Sequence, residues 1–119
     1  MATATFPISI RKSASSKLPG LDVNNLAFGK IFSDHMFISE FENGHWNSAK
    51  IEPYGNLSFS PASSMMHYGQ AIFEGLKAYK NDKGEVLVFR PQANLRRINL
   101  SAIRMAMPEI PQDLFMNAL

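Results

Sequence analysis

The apolar positions of this chain fall into short runs separated by turn-forming residues, a pattern that predicts several brief strands followed by two helices. Residues 27–41, AFGKIFSDHMFISEF, are dense in Phe, Ile and Met, with Gly29 and Asp34 as the strong breakers. Two short strands are expected there, around Phe28–Phe32 and Met36–Phe41. Asn43-Gly44 is the strongest short turn signal in the chain and predicts a hairpin whose return strand starts near Trp46. Pro53 and Pro61 bracket YGNLSFS, which suits an edge segment or an extended loop, because proline has no N–H to donate to a ladder. SSMMHYGQAIF, from Ser63 to Phe73, has room for one or two helical turns with Ala62 or Ser63 near the cap. GLKAYK and EVLVF predict strands joined through Asn81-Asp82-Lys83-Gly84, residues that tolerate positive φ.

The period changes after Phe89. Pro91 suits the first turn of a helix, where its missing N–H has no partner to lose, and the helix is expected to run to about Met107, before Pro108. At 100° per residue, Leu95, Ile98, Ala102 and Met105 share one face and Arg97, Ser101 and Arg104 the other. A second helix is expected from about Pro111 to Asp113 onward and is still running at Leu119, an ending that points to a longer parent protein.

Composition adds bounds to this picture. With 119 residues, 45% hydrophobic and 18% charged, one domain with a modest core is the default. There is no cysteine, and His35, His45 and His67 lack ligand spacing, so neither a disulfide framework nor a structural metal is expected. The net charge of +2 is uneven: residues 1–20 hold Arg11, Lys12 and Lys17 without an acid, and the rest holds the other 9 basic groups against all 10 acids. We read residues 1–20 as a loosely ordered basic arm and residues 21–119 as the domain. The arm is Ser-rich and acid-poor like a transit peptide, but Pro7 interrupts an early helix, so a bacterial or cytosolic leader and a cytoplasmic setting are expected. A basic face interleaved with aromatics is missing, and no apolar run approaches the ~18 residues of a membrane span, so neither nucleic acid nor membrane is an expected partner.

Candidate chemistry is sparse on pattern alone. Arg90, Arg96, Arg97 and Arg104 stand between Glu85 and Glu109 without an acid. Guanidinium groups pair well with phosphate, and helix arginines also make an ordinary solvated face. The stretch Met65-Met66-His67-Tyr68 with Phe73 reads as core or as site, His67 as a satisfied imidazole or a base. Glu74 would need a raised pKa and a partner to serve as a general acid or base.

A resemblance narrows these alternatives. HYGQAIFEGLKAYKNDKGEVLVFRPQANLRRINLSAIRMAMP resembles the central block of the small domain of branched-chain amino-acid aminotransferases, which are fold-type IV pyridoxal-phosphate (PLP) enzymes. LAFGKIFSDHMF and IEPYGNLSFSPASSMMHYGQAIFEG match the same family in order and spacing, so the resemblance runs from about Leu26 to Leu119. It implies an α+β fold, the small N-terminal domain of the D-amino-acid aminotransferase-like architecture, with a mixed or antiparallel sheet and packed helices. It implies PLP as cofactor, with Arg97 on its phosphate and Arg96 as the outward-pointing neighbour. Phe28, Tyr68 and Phe73 align with aromatics that line the family's apolar pocket for the side chains of Leu, Ile and Val, and Tyr68 is expected to reach the neighbouring subunit of a homodimer. Lys77 stands where some relatives have Arg. The implied reaction moves the amino group of Leu, Ile or Val to 2-oxoglutarate, giving a branched 2-oxo acid and glutamate. No catalytic residue is expected here, because the family's PLP lysine belongs to the larger domain and none of Lys50, Lys77, Lys80 or Lys83 aligns with it. The chain is thus expected to be truncated before that domain and inactive alone. The alternatives are another fold-type IV enzyme, such as a D-amino-acid aminotransferase or an aminodeoxychorismate lyase, and a non-catalytic stand-alone binding domain.

Overall fold

A computed structural model describes residues 6–47 and 49–119. They form two compact units, residues 6–58 and 59–119, where one domain was expected. The first contains a three-stranded sheet of β1 (Ile8–Ile10), β2 (His35–Ile38) and β5 (Ala49–Pro53), in the order β1-β5-β2. β5 runs parallel to β1, with Ile8 opposite Ala49 and Ile10 opposite Ile51, and antiparallel to β2, with Phe37 opposite Ile51. The sheet is therefore mixed. Pro53, which cannot donate, sits at the last position of β5, and the next N–H, that of Tyr54, donates to the Asp34 carbonyl at 2.9 Å. Between β2 and β5 lies the hairpin of β3 (Phe41–Glu42) and β4 (His45–Trp46). Asn43 and Gly44 at its tip have φ of 51° and 82°, the positive values a two-residue hairpin turn requires, and Phe41 meets Trp46 edge-on at 5.5 Å across it.

Three features of this unit differ from expectation. Residues 8–10, inside the presumed loose arm, are a sheet strand. The segment after them is also tied down: the Ser13 N–H donates to His35 Nε2 at 2.9 Å, and Asp34 accepts from the Ser16 hydroxyl at 2.6 Å and the Lys17 N–H at 3.1 Å. These donors hold the Asp34 carboxyl below its ordinary pKa. The strand expected around Phe28–Phe32 does not form. Gly29, at φ 71°, turns the chain so that the Lys30 N–H meets the Ala27 carbonyl at 3.1 Å, and Phe32 stacks on Tyr54 at 5.0 Å instead of joining a ladder. The strand expected around Met36–Phe41 is split at Ser39-Glu40 into β2 and β3.

The second unit opens with α1 (Ser64–Tyr68), preceded by Ser63 and ended by Gly69 at φ 61°. β6 (Ala78–Lys80) and β7 (Val86–Val88) form the expected antiparallel hairpin. Asn81 shapes its loop by accepting the N–H groups of Lys83 and Glu85 at 3.0 and 2.9 Å. α2 (Pro91–Arg104) begins at the expected proline, and α3 (Gln112–Ala118) follows. Leu95, Ala102 and, from α3, Leu114 are buried, which bears out the apolar stripe. Asn99 joins the two helices by exchanging hydrogen bonds with the backbone of Ile110, at 2.9 Å to its carbonyl and 2.8 Å from its N–H. α2 stops at Arg104, short of the expected Met107. The Ala106 N–H turns back to the Ile103 carbonyl at 3.1 Å and the Met107 N–H to the Ala102 carbonyl at 2.8 Å, the paired bonds of a Schellman stop.

Candidate functional site

The chemistry gathers on the polar face of α2. Asn94 and Arg97 stand one turn apart and meet the extended segment that carries Glu74 and Gly75. The Glu74 carboxylate accepts from Arg97 Nε at 2.7 Å, from Arg97 Nη2, from Asn94 Nδ2 at 3.0 Å and from the Gly75 N–H at 3.1 Å. Its side chain is only 6% exposed, whereas that of Arg97 is 69% exposed, so the acid is covered by its donors and the guanidinium keeps a free edge in solvent. The Arg97 hydrogen bond is the main cause that holds the Glu74 carboxyl down to about 2; desolvation opposes it, and Asn94 and the Gly75 N–H assist. The same pairing raises Arg97 above its ordinary value. Glu74 is a fixed anion, the opposite of a poised general acid.

Further along this face, Arg97, Ser101 and Arg104 follow one another at intervals of four and three residues and border an open cavity of about 600 Å³. Ala71, Ile72 and Phe73 form one wall, with Leu100 and Met105 beside them. The Ser101 hydroxyl donates to the Arg97 carbonyl at 3.2 Å, which leaves its oxygen able to accept. A cavity with two guanidinium groups and an apolar wall suits a ligand that joins an anion to a flat or aliphatic body.

Arg97 and Phe73 thus meet on one cavity, where Phe73 is 93% exposed. Tyr68, 86% exposed, borders a neighbouring cavity of about 440 Å³ that shares Arg104 and Met105 with the first. Phe28 belongs to the other unit, at the 27–30 turn, and is fully exposed. Arg96 turns away from the first cavity and lines a separate one of about 400 Å³ with Asn99 and Ile110. His67 is satisfied, its Nε2 lying 2.5 Å from the Pro61 carbonyl. Sequence reasoning missed Glu74 as the partner of Arg97 and missed the contribution of Ser101 and Arg104 to the cavity. Helical spacing could have offered the last two, since both were already on the Arg97 face. Among the described residues no group of three His, Cys, Asp or Glu could hold a metal, and no helix is long and apolar enough to cross a membrane.

Comparison with known proteins gives this arrangement its context. No family model matches the chain. Branched-chain-amino-acid transaminase 1 of Bacillus subtilis is 48% identical over 99 residues, 82% of this chain and 28% of the relative. Branched-chain-amino-acid aminotransferase 2 of the same organism is 42% identical over 106 residues, 88% of this chain and 29% of the relative. Over most of its length the chain is thus similar to branched-chain amino-acid aminotransferases. The branched-chain-amino-acid aminotransferase of Helicobacter pylori matches 85% of the chain at 43% identity, and 30% of that relative is covered. The chain therefore spans less than a third of the length of the curated aminotransferases it matches, and their reaction as whole proteins is a separate question from what these residues build.

Proposed function

We propose that this chain is the part of a fold-type IV, PLP-dependent branched-chain aminotransferase that holds the cofactor's phosphate and lines the substrate side-chain pocket. The observation that carries the reading is the α2 face itself, where Arg97 reaches the cavity with donors to spare beside Ser101, Arg104 and an apolar wall. Arg97 has five N–H donors and Glu74 occupies one on Nε and one on Nη2, so a phosphate can fork onto the remaining edge. Arg104 adds a second positive charge at the same cavity and Ser101 a hydroxyl, which together suit a dianion. When bound, PLP supplies an aldehyde and an electron-withdrawing ring that stabilises negative charge at the substrate Cα. The chain's own residues bind and orient. Phe73 offers an apolar surface to Leu, Ile or Val, and such a surface selects by shape and excludes polar side chains. We place the whole enzyme in the cytoplasm as a homodimer, acting on Leu, Ile and Val with 2-oxoglutarate as acceptor.

The test is a substrate panel on the whole enzyme. Leu, Ile and Val should each give glutamate from 2-oxoglutarate with kcat/KM at least about 10-fold above alanine, the discrimination that two or three buried methylenes provide. Preference for a D-amino acid, or release of pyruvate from aminodeoxychorismate, would replace this reading by one of its fold-type IV relatives.

A further inference from the structure

We propose that Glu74 is a positioning residue, holding the Arg97 guanidinium in the orientation that receives the cofactor's phosphate. The inference rests on the assignment of Arg97 to that phosphate and adds a residue that does not itself face the cavity: Arg97 lines it and Glu74 does not. An arginine on an exposed helix face samples many rotamers, and a fork contact to phosphate requires one of them. Glu74 selects it by gripping Nε and Nη2 together, which fixes the plane of the guanidinium and leaves Nη1 on the free edge. Glu74 is itself held, because Asn94 Nδ2 reaches both its carboxylate and the Gly75 carbonyl, each at 3.0 Å, and the Gly75 N–H closes the set. The orienting relay thus runs from the backbone at Gly75 through Asn94 and Glu74 to Arg97.

Two effects of the carboxylate compete. Its negative charge opposes a phosphate dianion on the far side of the guanidinium, while its grip spares the complex the cost of ordering Arg97. The opposing charge acts across the width of the guanidinium beside solvent, where it is screened, whereas the fork contact depends on geometry at about 3 Å. Preorganisation should win, so removing the charge while keeping the shape should weaken PLP binding rather than tighten it.

The experiment titrates the whole enzyme with PLP and, separately, with phosphate-free pyridoxal, and records the ³¹P resonance of bound PLP. Glu74→Gln should weaken PLP about tenfold, the loss of roughly one oriented charge-assisted contact, while pyridoxal affinity stays within about twofold. Its ³¹P resonance should move toward that of free PLP. Arg97→Ala should weaken PLP at least as much, the double variant should be no worse than Arg97→Ala alone, and Arg96→Ala should match wild type. Glu74→Asp, which keeps the charge and loses reach, should fall between wild type and Glu74→Gln. Unchanged or tighter PLP binding in Glu74→Gln, with Arg97→Ala impaired, overturns the role of Glu74 and leaves that of Arg97 standing. Equal losses of PLP and pyridoxal in Glu74→Gln show a merely structural residue and overturn it as well. Unimpaired PLP binding in Arg97→Ala overturns the phosphate assignment beneath both.

Discussion

The environment of Glu74 decides what one carboxylate does. A carboxylate in an apolar pocket is pushed up toward acid–base work, but Glu74 has four donors, and the guanidinium of Arg97 dominates, holding it down to about 2 against an ordinary value of 4.5. The sign of its contribution to stability follows. A folded-state pKa below the unfolded one makes the ionised pair stabilising above about 4.5, and that stabilisation is lost as the pH falls from there through about 2. The Glu74–Arg97 pair should therefore be indifferent to pH across the neutral range and fail only in acid. Acid unfolding of wild type and Glu74→Gln, followed by circular dichroism, should converge between these two pH values, with the wild type the more stable only at their upper end and above. A stability difference that persists undiminished at pH 2 would show that ionisation of Glu74 is not what stabilises the pair.

Elements of this chain end where local backbone chemistry says so, and α2 is the instructive case. Pro108 suggested a stop near Met107, yet the helix ends at Arg104 because Ala106 takes φ 52° and lets the two Schellman bonds close. Glycine is the usual residue at that position, since a Cβ is disfavoured in the left-handed region. Ala106→Gly should thus stabilise the protein by about 0.5–1 kcal/mol, read as a higher urea midpoint at unchanged slope; a lower midpoint would mean that the alanine methyl makes a packing contact worth more than its backbone strain. The same distinction separates what was legible in the sequence from what was not. Asn43-Gly44, the Asn81–Gly84 loop and Pro91 are local signals, and the turns and helix start they predict are present. β1 and β5 pair in parallel across some forty residues, and nothing in either three-residue stretch announces a partner so far away. The run at Phe28–Phe32 was rich in strand formers, but composition cannot outweigh a glycine held at positive φ. The site divides the same way. Arg97 and Phe73 were singled out from a motif and lie on one cavity, while the Glu74–Arg97 contact spans 23 residues and only the fold creates it.

At the scale of the whole molecule the balance between core and surface is unusual. The chain exposes 9860 Å², against about 6,500 Å² for a folded monomer of 13.3 kDa, and even two independent domains of half that mass would expose only about 7,800 Å². Many large apolar side chains are among the exposed groups. Among the described residues the buried apolar side chains are Ala49, Leu95, Ala102 and Leu114, whereas Phe28, Tyr68, Phe73, Phe89 and Leu100 stand largely in solvent. Exposed apolar area on this scale marks surfaces that other protein covers, and the proposed reading supplies the candidates, since the remaining two thirds of a branched-chain aminotransferase and a second subunit would both pack against this segment. Prepared alone, the 119-residue chain has neither, and burying the same side chains against another copy is the available substitute. Sedimentation velocity on the isolated chain should accordingly show dimers or larger species whose proportion rises with concentration. Replacing Phe73 and Phe89 by Ser should shift the population toward monomer, because each removes roughly 150–250 Å² of aromatic contact area. A clean monomer at high concentration would mean that these aromatics find cover within the chain itself, and that their exposure is not the signature of a missing partner.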